Sequence, residues 1–376
     1  MSTTIKKLSC LLLFTSGFCH YPLTPLQAQD RENSFYPKQD QPFGYGLFEM
    51  MHWSVMTKTP DANIENPYLA GALFHLPWSA FQPTPDQMDT KMLDDLLRVW
   101  TQKGKKIIFQ IKTAPGGKEK NPFKESSTPA WVYDRGAPYV QVTKQDLGQR
   151  IPLMWNPVFL KEYEAFIRKF AEKYDGHPGI EFIIVGPGVF ASTRAGYPKM
   201  MKQLQKAGYT DKLWFETNEK ILDIYRNAFH KTPLALGLAP YKNRLDDEDS
   251  AYSHLALAKR AAKKGFYLFY HNLRGTSEWA NSPYPAFFAS LGTTTKIALG
   301  LDNPASLSPK AAEKYGDPMQ IAHNAFGEAT APINTCYLEL YEQDVTSATR
   351  GRKHFRKDYE EAVRWAVEQL KHNGQK

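Results

Sequence analysis

The chain has 376 residues, and its formal net charge of +8 falls to +6 without Lys6 and Lys7. Positive charge is spread along the sequence except at Gly351–Lys357, which reads as the solvated start of a last helix, so no nucleic-acid surface is implied. Two of the three cysteines, Cys10 and Cys19, lie near the N-terminus, which leaves Cys336 alone, excludes an internal disulfide in the remainder and makes the fold rest on its apolar core.

The first element is a leader. Lys6 and Lys7 precede an apolar stretch, Leu8–Phe18, and a polar segment ending at Leu26-Gln27-Ala28. This pattern predicts a secretory signal peptide over residues 1–28, with an apolar part too short for a stable membrane span. Phe18 before Cys19 argues against a lipoprotein cut there. Residues 29–43 are polar and read as a flexible lead-in, and residues 44–376 carry no repeat, heptad or further linker, as expected of one domain.

Within that domain eight short apolar runs follow one another: Gly44–Met51, Leu69–Trp78, Lys106–Lys112, Ile180–Gly186, Pro233–Pro240, Gly265–Leu273, Lys296–Asp302 and Cys336–Asp344. Segments of helical period lie between most of them, including Met88–Lys103, Asn156–Tyr174 and Leu213–Phe229, and Asp358–Leu370 follows the last. Eight strands alternating with helices predict an α/β fold, a (β/α)8 TIM barrel with its chemistry at the strand C-termini. The long connection Thr113–Pro152 follows the third run and contains Trp131 and Tyr133, so it is expected to build the active face.

Strand alternation sorts the barrel interior, because outward side chains pack on helices and are apolar. In the seventh run Ile297, Leu299 and Leu301 share the outer face, which turns Asp302 inward; in the eighth, Leu338 and Leu340 face out and Tyr337, Glu339 and Tyr341 face in. The third run places Gln110 and Lys112 inside, and Glu49 of the first is inward if Phe48 and Met50 face helices. The sixth is aromatic on both faces, and His271 and Asn272 near its end are the polar groups expected to reach the mouth. Buried carboxylates are costly, so inward Asp302 and Glu339 on adjacent strands suggest a general acid paired with a nucleophile or base. The structural alternative pairs Glu339 with Lys112 or Arg194 and makes Asp302 a loop cap.

Several segments in order resemble the clan-A glycoside hydrolase barrels, especially the β-galactosidase-like enzymes of glycoside hydrolase family 42. These are Gly71-Ala72-Leu73-Phe74-His75-Leu76-Pro77-Trp78 with Phe81-Gln82-Pro83, then Leu93-Asp94, Gly104-Lys105-Lys106-Ile107, Thr128-Pro129-Ala130-Trp131 and Ala171–Pro178. The resemblance implies a barrel acting on sugars, with a nucleophile position that falls on Asp302. Such enzymes end strand four in Asn-Glu, whereas this chain reads Val185-Gly186-Pro187-Gly188-Val189. The acid would then come from Glu339 or Glu49. His75, Trp78, Gln110, Lys112, Trp131, Arg194 and His271 are the expected sugar-lining residues. No phosphate loop, Gly-x-Ser-x-Gly elbow or His-Glu-x-x-His motif is present, so neither a cofactor nor a metal is expected. The expected partner is a carbohydrate, neutral or anionic, with no nucleic acid and no integral membrane segment. Alternatives are a silent glycan-binding barrel and a polysaccharide lyase using Lys112, Arg194 and a histidine.

Overall fold

All eight apolar runs form strands. The computed structural model describes residues 44–51, 63–114, 127–141, 150–241, 250–306, 308–328 and 330–374. Its barrel strands are β1 (Gly46–Met51), β2 (Leu69–Pro77), β3 (Lys106–Lys112), β6 (Ile180–Val185), β7 (Leu234–Leu238), β8 (Tyr267–Leu273), β9 (Ile297–Leu301) and β10 (Thr335–Tyr341). Each is parallel to its neighbours, and β10 closes on β1, giving a complete (β/α)8 ring. The expected leader and lead-in, residues 1–43, lie outside the described residues.

The helices are α1 (Trp78–Phe81), α2 (Lys91–Thr101), α3 (Ala130–Asp134), α4 (Pro157–Tyr174), α5 (Pro198–Lys206), α6 (Asp211–Ala228), α7 (His254–Lys263), α8 (Ser277–Ala280), α9 (Pro283–Ser290), α10 (Pro309–Tyr315), α11 (Pro318–Phe326), α12 (Glu342–Ala348) and α13 (Lys357–Gly374). Local chemistry sets several starts. Asn156, Thr210, Ser253 and Asp317 each accept a backbone N–H at the head of α4, α6, α7 and α11, and Pro follows directly at α4 and α11. The eighth apolar run overshoots its strand, because Glu342 to Asp344 turn into α12. The long connection after β3 contains α3 and a small antiparallel hairpin, β4 (Tyr139–Gln141) with β5 (Arg150–Pro152).

Outward side chains of the strands, such as Phe74, Phe109 and Leu338, meet the apolar faces of the helices, while an inner layer fills the barrel. At the N-terminal end that layer is Phe48, Phe182 and Tyr337, with ring centroids 5.6 Å (Phe48–Tyr337) and 5.0 Å (Phe182–Tyr337) apart. Beneath them the Glu181 carboxylate accepts the Tyr337 hydroxyl and the Gly44 N–H (3.1 Å) and pairs with Lys106 (2.6 Å), forming a polar floor. Cys336 is fully buried in β10.

Candidate active site

The C-terminal end of the barrel gathers polar side chains that strand alternation turns inward. Glu339 stands in register with Gly300 on β9, and Gly300 with His271 on β8, so all three lie at one level on the inner face. A Cβ at residue 300 would sit 2.1 Å from Glu339 Oε2 and 2.7 Å from His271 Cδ2, so the glycine is what gives these two groups room. His271 Nε2 lies 3.2 Å from Glu339 Oε2, an ion-pair distance, though neither Glu339 oxygen has an aligned hydrogen bond among the described residues. Burial lowers the His271 pKa, but the facing Glu339 carboxylate outweighs it and the net shift is upward. Glu339 itself is only 2% exposed.

Asp302 follows β9 one inward step beyond Gly300 and is therefore staggered relative to Glu339 rather than beside it. Its Oδ2 accepts both Arg274 Nε (3.0 Å) and Nη2 (2.6 Å), and its backbone carbonyl accepts the Tyr341 hydroxyl (3.1 Å). Arg274 was not legible as a partner in the sequence; its position one residue past the end of β8, next to β9, is the signal that points to it.

On the opposite side of the ring His75 and Gln110 are in register on β2 and β3, with Pro77 and Lys112 one step further out. Gln110 is 2% exposed, and its Oε1 has no hydrogen-bond partner among the described residues. Between these groups the exit of β6 folds back across the mouth through a single 3₁₀ turn, Val189–Ala191. A Cβ on Gly186 or Gly237 would come within 2.5 Å or 2.4 Å of the Ala191 carbonyl oxygen, so only glycine lets this segment lie so close. Thr193 N–H donates to Gly237 O (2.7 Å), Ala195 N–H to Tyr241 O (2.9 Å) and the Trp214 indole to Thr193 O (2.7 Å), which pin Arg194 at the rim above β7. Arg194 Nε is buried without a hydrogen-bond partner among the described residues, and its guanidinium lies 5.6 Å from the Tyr197 ring centre.

Three expectations are corrected. Glu49 points out of the barrel: Phe48 shares the level of inward Glu339 and Glu49 that of outward Leu340, and the Glu49 carboxylate accepts Asn63 Nδ2 (3.0 Å), which also reaches Thr346 of α12 (3.1 Å). Trp78 is fully buried, stacked on Phe166 (5.2 Å) of α4 and edge-on to Trp131 (5.8 Å), so it presents no face to a sugar. Trp131 is 9% exposed, with Arg135 over its ring, and its indole N–H donates to Gln82 O (3.0 Å). These indoles bury the long connection against α4. The structure thus brings Glu339, His271, Asp302, Gln110, His75, Lys112 and Arg194 to the mouth and leaves Glu49, Trp78 and Trp131 in the strand–helix layer.

Residues 70–186 match the β-galactosidase family of glycoside hydrolases numbered 42. No curated protein matches the sequence. Among solved structures, the catalytic domain of a β-amylase from Paenibacillus polymyxa is similar over 87% of this chain and 99% of that one, at 10% identity and a TM-score of 0.60. A β-galactosidase from the psychrophilic Marinomonas ef1 is similar at 12% identity and a TM-score of 0.52, with 86% of this chain and 59% of that one covered. For an exo-β-1,4-mannosidase from Opitutaceae bacterium strain TAV5 the identity is 15%, the TM-score 0.53 and the coverage 91% and 62%. At such identities the likeness is one of fold. The chain is a glycoside hydrolase-like (β/α)8 barrel whose residues 70–186 resemble the family 42 β-galactosidases.

Proposed function

We propose that the protein is an exported glycoside hydrolase that cleaves a poly- or oligosaccharide with Glu339 and Asp302 as its two carboxylates. The observation that carries this reading is the Glu339 carboxylate, 2% exposed at the inner rim with His271 at 3.2 Å and no aligned donor among the described residues. A carboxylate left so dry is a cost to the fold, and sites that use one for chemistry accept that cost. The raised pKa of His271 favours a proton on its ring beside Glu339, and this proton can be delivered to the glycosidic oxygen. Asp302, fixed at the rim by Arg274, then acts as base or nucleophile on the other face of the sugar. The stagger of one inward step, about 6.7 Å along the strand, favours the wider carboxyl spacing of inverting enzymes over the retaining one. Gln110 Oε1 and Arg194 Nε are an acceptor and a donor that sugar hydroxyls can satisfy, and Lys112 and Arg194 favour an acidic group on the glycan. Export rests on Lys6, Lys7 and the apolar Leu8–Phe18. Among the described residues no helix is long and apolar enough to cross a membrane.

The test is incubation of the protein with a panel of neutral and acidic glycans, read by product mass. Hydrolysis adds one water per cut, and Glu339→Gln is expected to lower its rate about 10²- to 10⁴-fold while glycan binding persists. Binding without any product supports a silent barrel, as does the exit of β6, which carries no carboxylate from Gly186 to Ala195. An unsaturated product would make the protein a lyase.

A further inference from the structure

Asp344, in the first turn of α12, is 1% exposed and has no ion pair among the described residues. Its Oδ1 accepts the Ser306 N–H at 2.8 Å, while its Oδ2 is buried with no hydrogen-bond partner among the described residues. Ser306 belongs to the turn that leaves β9 and begins with Asp302. Tyr341 ends β10, caps α12, and donates its hydroxyl to the Asp302 carbonyl at 3.1 Å. Because α12 follows β10 directly, the Ser306–Asp344 bond joins the turn that carries Asp302 to the element that continues the strand of Glu339.

Its surroundings are otherwise apolar. Leu301 of β9, Leu340 of β10, Ile321 of α11 and Val363 of α13 wall a cavity of about 20 Å³ that Asp344 shares with Tyr359. The titratable groups facing it are Tyr359 of α13, whose buried hydroxyl has no hydrogen-bond partner among the described residues, and Tyr341 of β10; Arg356, Asp358 and Asp317 act on Tyr359 from beyond. The β9 and α11 walls contribute Leu301, Pro318, Ile321 and Ala322, none of them charged. Burial pushes the Asp344 carboxyl up to about 6 against the opposing pull of the backbone donors.

We propose that Asp344 is a positioning residue for Asp302: an anionic latch that holds the β9 exit turn in the shape the site requires and releases it on taking up a proton. This rests on the reading of Asp302 as a site carboxylate. The sign of the linkage gives the latch its signature. The folded value lies above that of an unfolded aspartate, about 3.9, so the contribution of this group to stability is greatest below pH 4 and is lost as pH rises through about 6. Acid thus favours the fold at this residue while loosening the turn. A side chain kept for the fold alone would move both in the same direction.

Hydrogen exchange of the full chain separates the two. With intrinsic rates corrected, protection of the Ser306 amide in the unmodified protein is expected to fall about tenfold between pH 7.5 and pH 5. Asp344→Asn is expected to show the low protection at both pH values, with a melting temperature at pH 7.5 equal to or above the parent's. On the active glycan of the panel, kcat should fall on the acid side with a midpoint near 6 in the parent, and Asp344→Asn should flatten that limb with KM unchanged. Equal protection at the two pH values in the unmodified protein overturns the latch, as does parental protection in the variant or a general loss of protection across the barrel. If the exchange pattern holds and no glycan is cut, the latch stands and the hydrolase reading fails.

Discussion

The Glu339–His271 contact is the residue-scale feature with the sharpest consequence for pH. The His271 pKa is raised, so the attraction between imidazolium and carboxylate contributes stability below about 6.5 and is lost as pH rises through the higher folded value. His271→Gln should therefore lower the urea midpoint at pH 6 and leave it nearly unchanged at pH 9. An equal penalty at both pH values would show that the pair is not coupled. The inward placing of Glu339 was legible in the sequence because Leu338 and Leu340 flank it and take the outer face, whereas the sixth run is aromatic on both faces and register with Gly300 is what turns His271 inward. Glu49 was not legible for an equally physical reason: Gly-Leu-Phe-Glu-Met-Met is apolar on both sides of the charge, and a strand buried on both faces carries no alternation to read. Register with β10 decides it.

At the scale of elements, the long connection after β3 shows how an aromatic pair is spent. Trp78 and Trp131 were expected against a sugar, yet α4 offers Phe159, Tyr163 and Phe166 at helical spacing, and burying two indoles there is the larger gain. Trp78→Ala should cost about 3–5 kcal/mol in urea unfolding. Trp131→Phe, which keeps a ring and loses the bond to Gln82 O, should cost about 1 kcal/mol and leave KM for the cleaved glycan unchanged. A tenfold rise in KM would return Trp131 to the binding face. The exit of β6 is the second element whose course the sequence does not show. Its lack of a carboxylate is plain in Gly186-Pro187-Gly188, but not the inward fold, which places Ala191 at a φ of +45°, uncommon outside glycine, and brings its carbonyl against Gly186 and Gly237.

For the molecule as a whole, closure is the deciding event, since β10 must find β1 and the floor must be filled. Glu181, Tyr337, Lys106 and Gly44 come from four separate stretches and meet only when the ring is complete. Tyr337→Phe removes one donor from a carboxylate that stays buried and should cost about 1–3 kcal/mol, read as a lower urea midpoint; an unchanged midpoint would make the floor a matter of packing alone. The number of barrel strands, their order and their approximate ends were determined by the sequence itself, because periods of two and of 3.6 are local properties that apolar spacing records directly, whereas the β4–β5 hairpin was not legible. Which carboxylate meets which partner was decided only by tertiary structure. Asp302 and Glu339 were correctly turned inward, but the β9–β10 register staggers them, and Arg274 and His271 take the places each was expected to fill for the other. Register is set by side chains tens of residues apart in sequence packing against one another, and no local pattern carries it.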